Sequence, residues 1–78
     1  MTVNHLRRGE SGTVLSVSGE GAVRRRLFDM GVTPGAVITM RRAAPFGDPL
    51  EVSLRGYRLS IRKEEAASVI VEKITGRD

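Results

Sequence analysis

The chain has 78 residues, a net charge of +4 from 13 basic and 9 acidic side chains, and no cysteine. A chain of this length supports one modest core, so residues 1–78 are interpreted as a single domain. The lack of cysteine excludes disulfides, thiolate metal sites and a cysteine nucleophile. The positive charge suggests an acidic partner: nucleic acid, a membrane surface or an acidic protein.

No apolar run in the sequence approaches the roughly 18 to 20 residues that a membrane span needs. The polar start, MTVNHLRRGESG, lacks the apolar stretch of a secretory signal. We therefore expect a cytosolic protein with no direct membrane insertion.

The first half of the chain predicts a strand, a helix and a tight turn. Residues 13–18, TVLSVS, favour a first strand because they mix β-branched and small polar side chains. Residues 22–30 predict a helix that ends at Gly31. The apolar residues at helical spacing in it are Val23, Leu27 and Met30. Pro34 and Gly35 suit the central pair of a type II turn, since proline presets the first φ and glycine supplies the positive one.

The second half of the chain is dominated by strands. Further strands are predicted at residues 36–42, 50–55, 57–62 and 69–74. The side chains expected to point inward from the first three of these are Ala36, Ile38, Met40, Leu50, Val52, Leu54, Tyr57, Leu59 and Ile61. The runs on either side of Gly56 should form a hairpin. Residues 63–68 predict one helical turn, and residues 75–78 a frayed tail.

About five short strands would leave open edges unless the sheet curls on itself. The pattern predicts a mainly β fold, a small SH3-like barrel of about five strands with one short helix inserted after the first strand. An OB-type barrel is the nearest alternative, but its helix usually lies between strands three and four.

The sequence offers little for catalysis or transition-metal binding. The only histidine is His5, in a polar segment, and we expect it to be solvated or loosely packed. Neither glycine cluster matches a phosphate-binding pattern. We assign no catalytic residue, no cofactor and no metal ligand.

Carboxylates could still form an acid–base pair or a hard-cation site, but their spacing does not favour either. Asp48 lies in the loop RRAAPFGDPLEV and is interpreted as a turn-former that hydrogen-bonds its own turn. Glu51 is expected to face solvent beside Arg55. Glu64 and Glu65 are expected in the first turn of a helix, where acids are favourable.

Two phenylalanines and an arginine face are the candidates for binding. Arg55, Arg58 and Arg62 would lie on one face of the hairpin and could contact nucleic-acid phosphates, a protein or only solvent. Phe46, between two prolines, is either an exposed anchor for a partner or folded back over the barrel mouth. Phe28 is expected at the margin of the helix.

Residues 25–72 contain several specific motifs in a fixed order: the Arg-Leu-x-x-Met-Gly run ending at Gly31, the Pro34-Gly35 turn, APFGDP, RGYRLSIR and a Glu-Ala pair at positions 65 and 66. In their order and spacing these motifs resemble the ferrous iron transport protein A (FeoA) family. The resemblance implies a cytosolic, non-enzymatic SH3-like barrel that assists the membrane ferrous iron transporter FeoB, whose cytosolic part is a GTPase. The same barrel resembles the C-terminal domain of iron-dependent repressors.

The leading hypothesis is an adaptor or regulator that binds the cytosolic face of FeoB. Its expected contact residues are Arg26, Phe28, Phe46, Arg55 and Arg58. The alternatives are a small basic nucleic-acid-binding barrel, a stand-alone relative of the repressor domain, and a direct iron sensor that uses Asp48. Nucleic acid is disfavoured because the chain has few aromatic residues for base stacking.

Overall fold

The computed structural model describes residues 1–74, so the predicted tail at residues 75–78 lies outside it. The elements, in chain order, are β1 (Ser11–Val17), α1 (Gly21–Asp29), β2 (Val37–Ala43), β3 (Leu50–Leu54), β4 (Tyr57–Ile61), α2 (Lys63–Ala66) and β5 (Val69–Ile74). A 3₁₀ turn at Val3–His5 precedes them. The five strands agree with the predicted ones to within two residues at each end.

All five strands form one antiparallel sheet in the order β4-β3-β2-β1-β5. The pairing register shifts between Val14 and Ser16 in β1 and between Met40 and Arg42 in β2. Such bulges bend the strands and increase the twist, which lets a small sheet curl around its core. With α1 directly after β1, this topology confirms the predicted mainly β, SH3-like barrel and not the OB-type alternative.

The core lies inside the curled sheet and takes side chains from every strand. The buried apolar residues are Val3, Leu6, Val14, Val17, Leu27, Val32, Ala36, Ile38, Met40, Leu50, Val52, Leu54, Ile61, Ala66, Val69 and Val71. The alternation predicted for β2 and β3 is therefore confirmed. Tyr57 was expected to point inward and this is wrong: it is 42% exposed, because its hydroxyl reaches α1 and donates to the carbonyl oxygen of Met30.

Helix α1 touches the core only through its C-terminal end. Leu27 is fully buried and Met30 packs against the core, but Val23, which shares their helical spacing, is 40% exposed. The physical reason is that residues 21–26 all lie on the surface, before the helix reaches the sheet. The predicted stop is confirmed, since Gly31 has a φ of 95° and its N–H donates to Phe28 O at 3.0 Å.

The turn after α1 also forms as predicted. Ala36 N–H donates to Thr33 O at 3.0 Å, with Pro34 and Gly35 between them. Gly35 has a φ of 93°, a conformation that side chains with a Cβ rarely adopt. The turn thus fixes the entry to β2.

The N-terminal segment contributes to the barrel, which the sequence reasoning missed. Val3 and Leu6 enter the core, Thr2 bridges Ile70, and Val71 N–H donates to Met1 O at 2.8 Å. These bonds cover part of the free edge of β5. Within residues 1–74, neither helix has the length and apolar character that would take it across a membrane.

Candidate partner-docking surface

The loop between β2 and β3 presents Phe46 to solvent on a closed turn. Ala44 N–H donates to Pro49 O at 2.9 Å, and Gly47 N–H donates to Ala44 O at 2.7 Å. Phe46 is 98% exposed, so the alternative that it folds back over the barrel mouth is excluded. Leaving a phenylalanine in water forgoes the roughly 1.5–3 kcal/mol that its burial would supply. The ring is therefore the strongest candidate for an anchor.

Asp48 fastens this loop to the start of α2. Its Oδ1 accepts a hydrogen bond from the backbone N–H of Lys63 at 2.9 Å. The expectation that Asp48 hydrogen-bonds its own turn is therefore wrong. The contact crosses 15 residues of sequence, and it satisfies one of the N–H groups that a helix start leaves without an intrahelical partner. The loop is consequently attached at its base while Phe46 projects from its tip.

Phe28 lies at the margin of α1, as expected, but it is only partly accessible. The ring packs against the core, and the guanidinium of Arg24 lies 4.6 Å from the ring centroid. An arginine over an aromatic face contributes about 0.5–1 kcal/mol at exposed sites. Phe28 is thus in contact with both the core and Arg24, whereas Phe46 is 98% exposed.

Arg26 joins α1 to α2 through an ion pair with Glu65. Glu65 is only 9% exposed, and its Oε1 also accepts the backbone N–H of Arg62 at 2.8 Å. This is the arrangement in which a glutamate at the third helical position bonds back to the residue that starts the helix. The sequence reasoning placed Glu65 in the first turn but missed its burial. The spacing of Glu65 three residues after Arg62 is the signal that could have revealed it.

Arg55 and Tyr57 close the β3–β4 hairpin over the end of α1. Arg55 Nε donates to Gly31 O at 3.1 Å, and its Nη2 donates to Thr33 Oγ1 at 2.9 Å. A cation is favourable there because the last carbonyls of a helix carry partial negative charge. Arg55 therefore has a structural role in addition to any contact with a partner.

Arg58 has a side chain that is 64% exposed, compared with 49% for Arg26. It lies 4.0 Å from Glu51, which also approaches Arg42 at 3.5 Å. Glu51 was expected beside Arg55, and this is wrong because Arg55 turns toward α1. Arg58 lines a shallow groove of about 400 Å³ on the outer face of β2, β3 and β4.

The five predicted contact residues lie on separate parts of the molecule. Leu50 pairs with Ile61 at one end of the β3–β4 hairpin, and Leu54 pairs with Tyr57 at the other. Phe46 comes before the Leu50 end of β3, and Arg55 comes after its Leu54 end. The length of β3, about 13 Å, therefore separates the two residues. Arg26 and Phe28 are carried separately by α1, so one continuous patch is not formed.

No grouping of three His, Asp or Glu side chains suited to a metal ion occurs within residues 1–74. His5 is engaged locally, since its Nδ1 accepts the backbone N–H of Thr2 at 3.1 Å.

Comparisons with known proteins agree with this architecture. A family model described as the FeoA domain matches residues 1–73. The Fe(2+) transport protein A/Fe(2+) transporter FeoB fusion protein of Porphyromonas gingivalis is 35% identical over 75 residues, which are 96% of this chain. The chain spans only 9% of the length of that curated relative.

Two solved structures share the fold and much of the sequence. The FeoA protein from Chlorobium tepidum is 41% identical, with a TM-score of 0.90 over 100% of this chain and 74% of that one. A FeoA from Stenotrophomonas maltophilia, solved with zinc and described as a prokaryotic SH3 domain protein, is 33% identical with a TM-score of 0.82. That match covers 92% of this chain and 89% of the other.

Proposed function

Because the chain belongs to the FeoA domain family, which is associated with ferrous iron transport, we propose that it is a cytoplasmic, non-enzymatic adaptor or regulator of FeoB. The choice of partner is supported by the relative in which a transport protein A segment and FeoB form one polypeptide. Fusion keeps two modules at high effective concentration, as suits modules that bind each other.

The main support for docking is the position of Phe46. Its side chain is 98% exposed, on a loop that backbone hydrogen bonds close and that Asp48 attaches to α2. A pre-positioned aromatic side chain loses little conformational entropy on binding, and buried aromatics dominate the energy of many interfaces. Phe46 inserts into an apolar pocket of the transporter's cytosolic part.

The other predicted residues form a second contact around α1 and the β3–β4 hairpin. Arg58 is the member placed to meet a carboxylate of the partner, because its side chain is 64% exposed and its approach to Glu51 is long, at 4.0 Å. Arg26, Phe28 and Arg55 hold the helix and hairpin in place and offer their remaining exposed atoms. Charges at the rim of an interface mainly raise the association rate and depend on salt.

The test is the affinity of the purified chain for full-length FeoB in lipid nanodiscs, measured by biolayer interferometry. Phe46→Ala should weaken binding by about 2 kcal/mol or more, roughly 30-fold, as expected for a central anchor. Leu15→Ala is the matched control, because Leu15 is also an exposed apolar residue, on β1. Equal affinity of the two variants would contradict the assignment of Phe46. No binding by the unaltered chain would contradict the adaptor role itself.

A further inference from the structure

A second feature of the surface lies beside the Phe46 loop. An open groove of about 410 Å³ runs between the N-terminal segment, the end of β2 and the start of α2. Its floor is formed by the edges of three core residues, Leu6, Met40 and Leu50. Its rim carries Arg8, Arg42 and Lys63. We call this feature the basic groove.

The positive charge of the basic groove is largely unpaired. Within residues 1–74, the side chains of Arg8 and Lys63 have no hydrogen bond or ion pair, and Arg42 has only the 3.5 Å approach to Glu51. Arg8, Met40 and Arg42 also line an adjoining depression of about 370 Å³, which adds Arg41 and Arg58. The outer face therefore carries five cations, and the carboxylates beside them are Glu51, which approaches Arg42 and Arg58, and Asp48, which accepts the backbone N–H of Lys63.

We propose that the basic groove receives an acidic segment of the partner protein, with an apolar side chain over the Leu6, Met40 and Leu50 floor. This inference rests on the proposed docking to the transporter and adds a second, charged element to it. Carboxylates pair with arginine through two parallel hydrogen bonds, and a partner's carboxylates would relieve the repulsion among the rim cations. Gly47 belongs to the groove lining, so a segment bound there lies beside Phe46.

A protein segment fits the basic groove better than a nucleic acid does. No aromatic side chain lines the groove, whereas single-strand binders combine basic residues with aromatic platforms for the bases. The floor is apolar, which suits an aliphatic side chain and offers nothing to a sugar–phosphate backbone. The experiment must nevertheless be able to detect a nucleic acid bound in the basic groove.

The chain contains only two lysines, Lys63 and Lys73, and this makes the proposal directly testable. A carbodiimide joins an amine to a carboxylate only when the two are in contact. Lys63 would face the partner's acids, while Lys73 already pairs with Glu10 at 2.8 Å and is the internal control. The complex with full-length FeoB in nanodiscs is treated with carbodiimide, and the cross-linked peptides are identified by mass spectrometry.

The expected result is a cross-link from Lys63 to an Asp or Glu in an acidic segment of FeoB that also holds an aliphatic residue. The cross-link should disappear in Lys63→Arg, which keeps the charge and the affinity, and should weaken at high salt. Arg8→Glu should reduce affinity about fivefold, equivalent to two exposed charge interactions, whereas Arg25→Glu should change it less than twofold. Arg25 is the matched control because its side chain also has no polar partner within residues 1–74.

Three results overturn the proposal. Binding without a Lys63 cross-link, with Arg8→Glu and Arg25→Glu equal, leaves the adaptor role intact and removes the basic groove from it. A labelled oligonucleotide that binds at low salt and is released by Arg8→Glu identifies nucleic acid as the occupant. Failure of the unaltered chain to bind FeoB removes both this proposal and the proposed function.

Discussion

The ion pair between Arg26 and Glu65 decides whether Arg26 is mainly a structural residue or a docking residue. Its guanidinium side chain is 49% exposed and the carboxylate side chain 11% exposed. Exposed pairs contribute about 0.2–1 kcal/mol, and breaking a fully buried pair costs about 3–5 kcal/mol. For a pair of intermediate burial we expect a coupling of about 1.5 kcal/mol.

The double-mutant cycle should reflect the second bond of Glu65. Arg26→Ala and Glu65→Gln should each cost about 1.5 kcal/mol, because the glutamine keeps its acceptor for Arg62 N–H. Glu65→Ala loses both contacts and should cost about 2.5 kcal/mol, given about 1 kcal/mol for a helix-start bond. The double variant should also cost about 2.5 kcal/mol, well short of the additive value of about 4.

Urea unfolding at pH 7, followed by circular dichroism, measures these free energies of unfolding. The comparison is valid if the unfolding free energy falls with urea concentration at the same slope in every variant. In a chain of this size Arg26→Ala should lower Tm by about 6–12 °C. Strictly additive single-variant effects would show that Arg26 and Glu65 are not coupled. They would mean that Arg26 is free in solution and fully available to a partner.

Three further predictions follow from the same structure. Asp48→Ala should cost about 1 kcal/mol in urea unfolding, because Lys63 N–H loses its acceptor, and no change would show that the loop is not fastened to α2. Phe46→Ala should leave the unfolding free energy within about 0.5 kcal/mol of the unaltered chain, because Phe46 does not pack against the core. Phe28 does pack against the core, so Phe28→Ala should lower the unfolding free energy by about 1–2 kcal/mol. The Lys73 ammonium, by its hydrogen bond, and then the Arg7 N–H lower the pKa of Glu10, so its stabilisation is present above the unfolded-state pKa and lost as pH falls through the folded one. The unfolding free energy should therefore fall less steeply with decreasing pH in Glu10→Gln than in the unaltered chain. The same pH dependence in both proteins would contradict this.

The barrel was predictable from the sequence because period-two alternation and turn chemistry are local signals. The inward positions of Leu50, Val52 and Leu54, and the turn at Gly35, needed no knowledge of the rest of the chain. Tyr57 occupies the next inward position of the same alternation in the sequence, but its side chain does not point into the core. The hydroxyl of an amphipathic ring can instead find a hydrogen-bond acceptor on a neighbouring element.

The arrangement of the candidate surface was less predictable, because it depends on contacts between distant segments. Asp48 reaches Lys63 across 15 residues and Arg26 reaches Glu65 across 39. No local pattern encodes those pairings. Charged residues that the sequence alone suggests are solvent-exposed therefore hold separate elements together in the structure. Phe46 stands out in the sequence as a large apolar residue on a loop between two prolines, but the sequence alone leaves open whether it is exposed or folded back over the barrel mouth, and the structure was needed to decide.

The chain contains only two phenylalanines, the half-buried Phe28 and the exposed Phe46, so a single spectrum can test whether Phe46 docks on the transporter. The chain is labelled with 4-fluorophenylalanine, and its ¹⁹F resonances are followed as full-length FeoB in nanodiscs is added. If Phe46 docks, its resonance should shift and lose its sensitivity to a paramagnetic solvent probe, while the Phe28 resonance changes less. A bound chain in which Phe46 keeps its shift and its full solvent exposure would contradict docking through this loop.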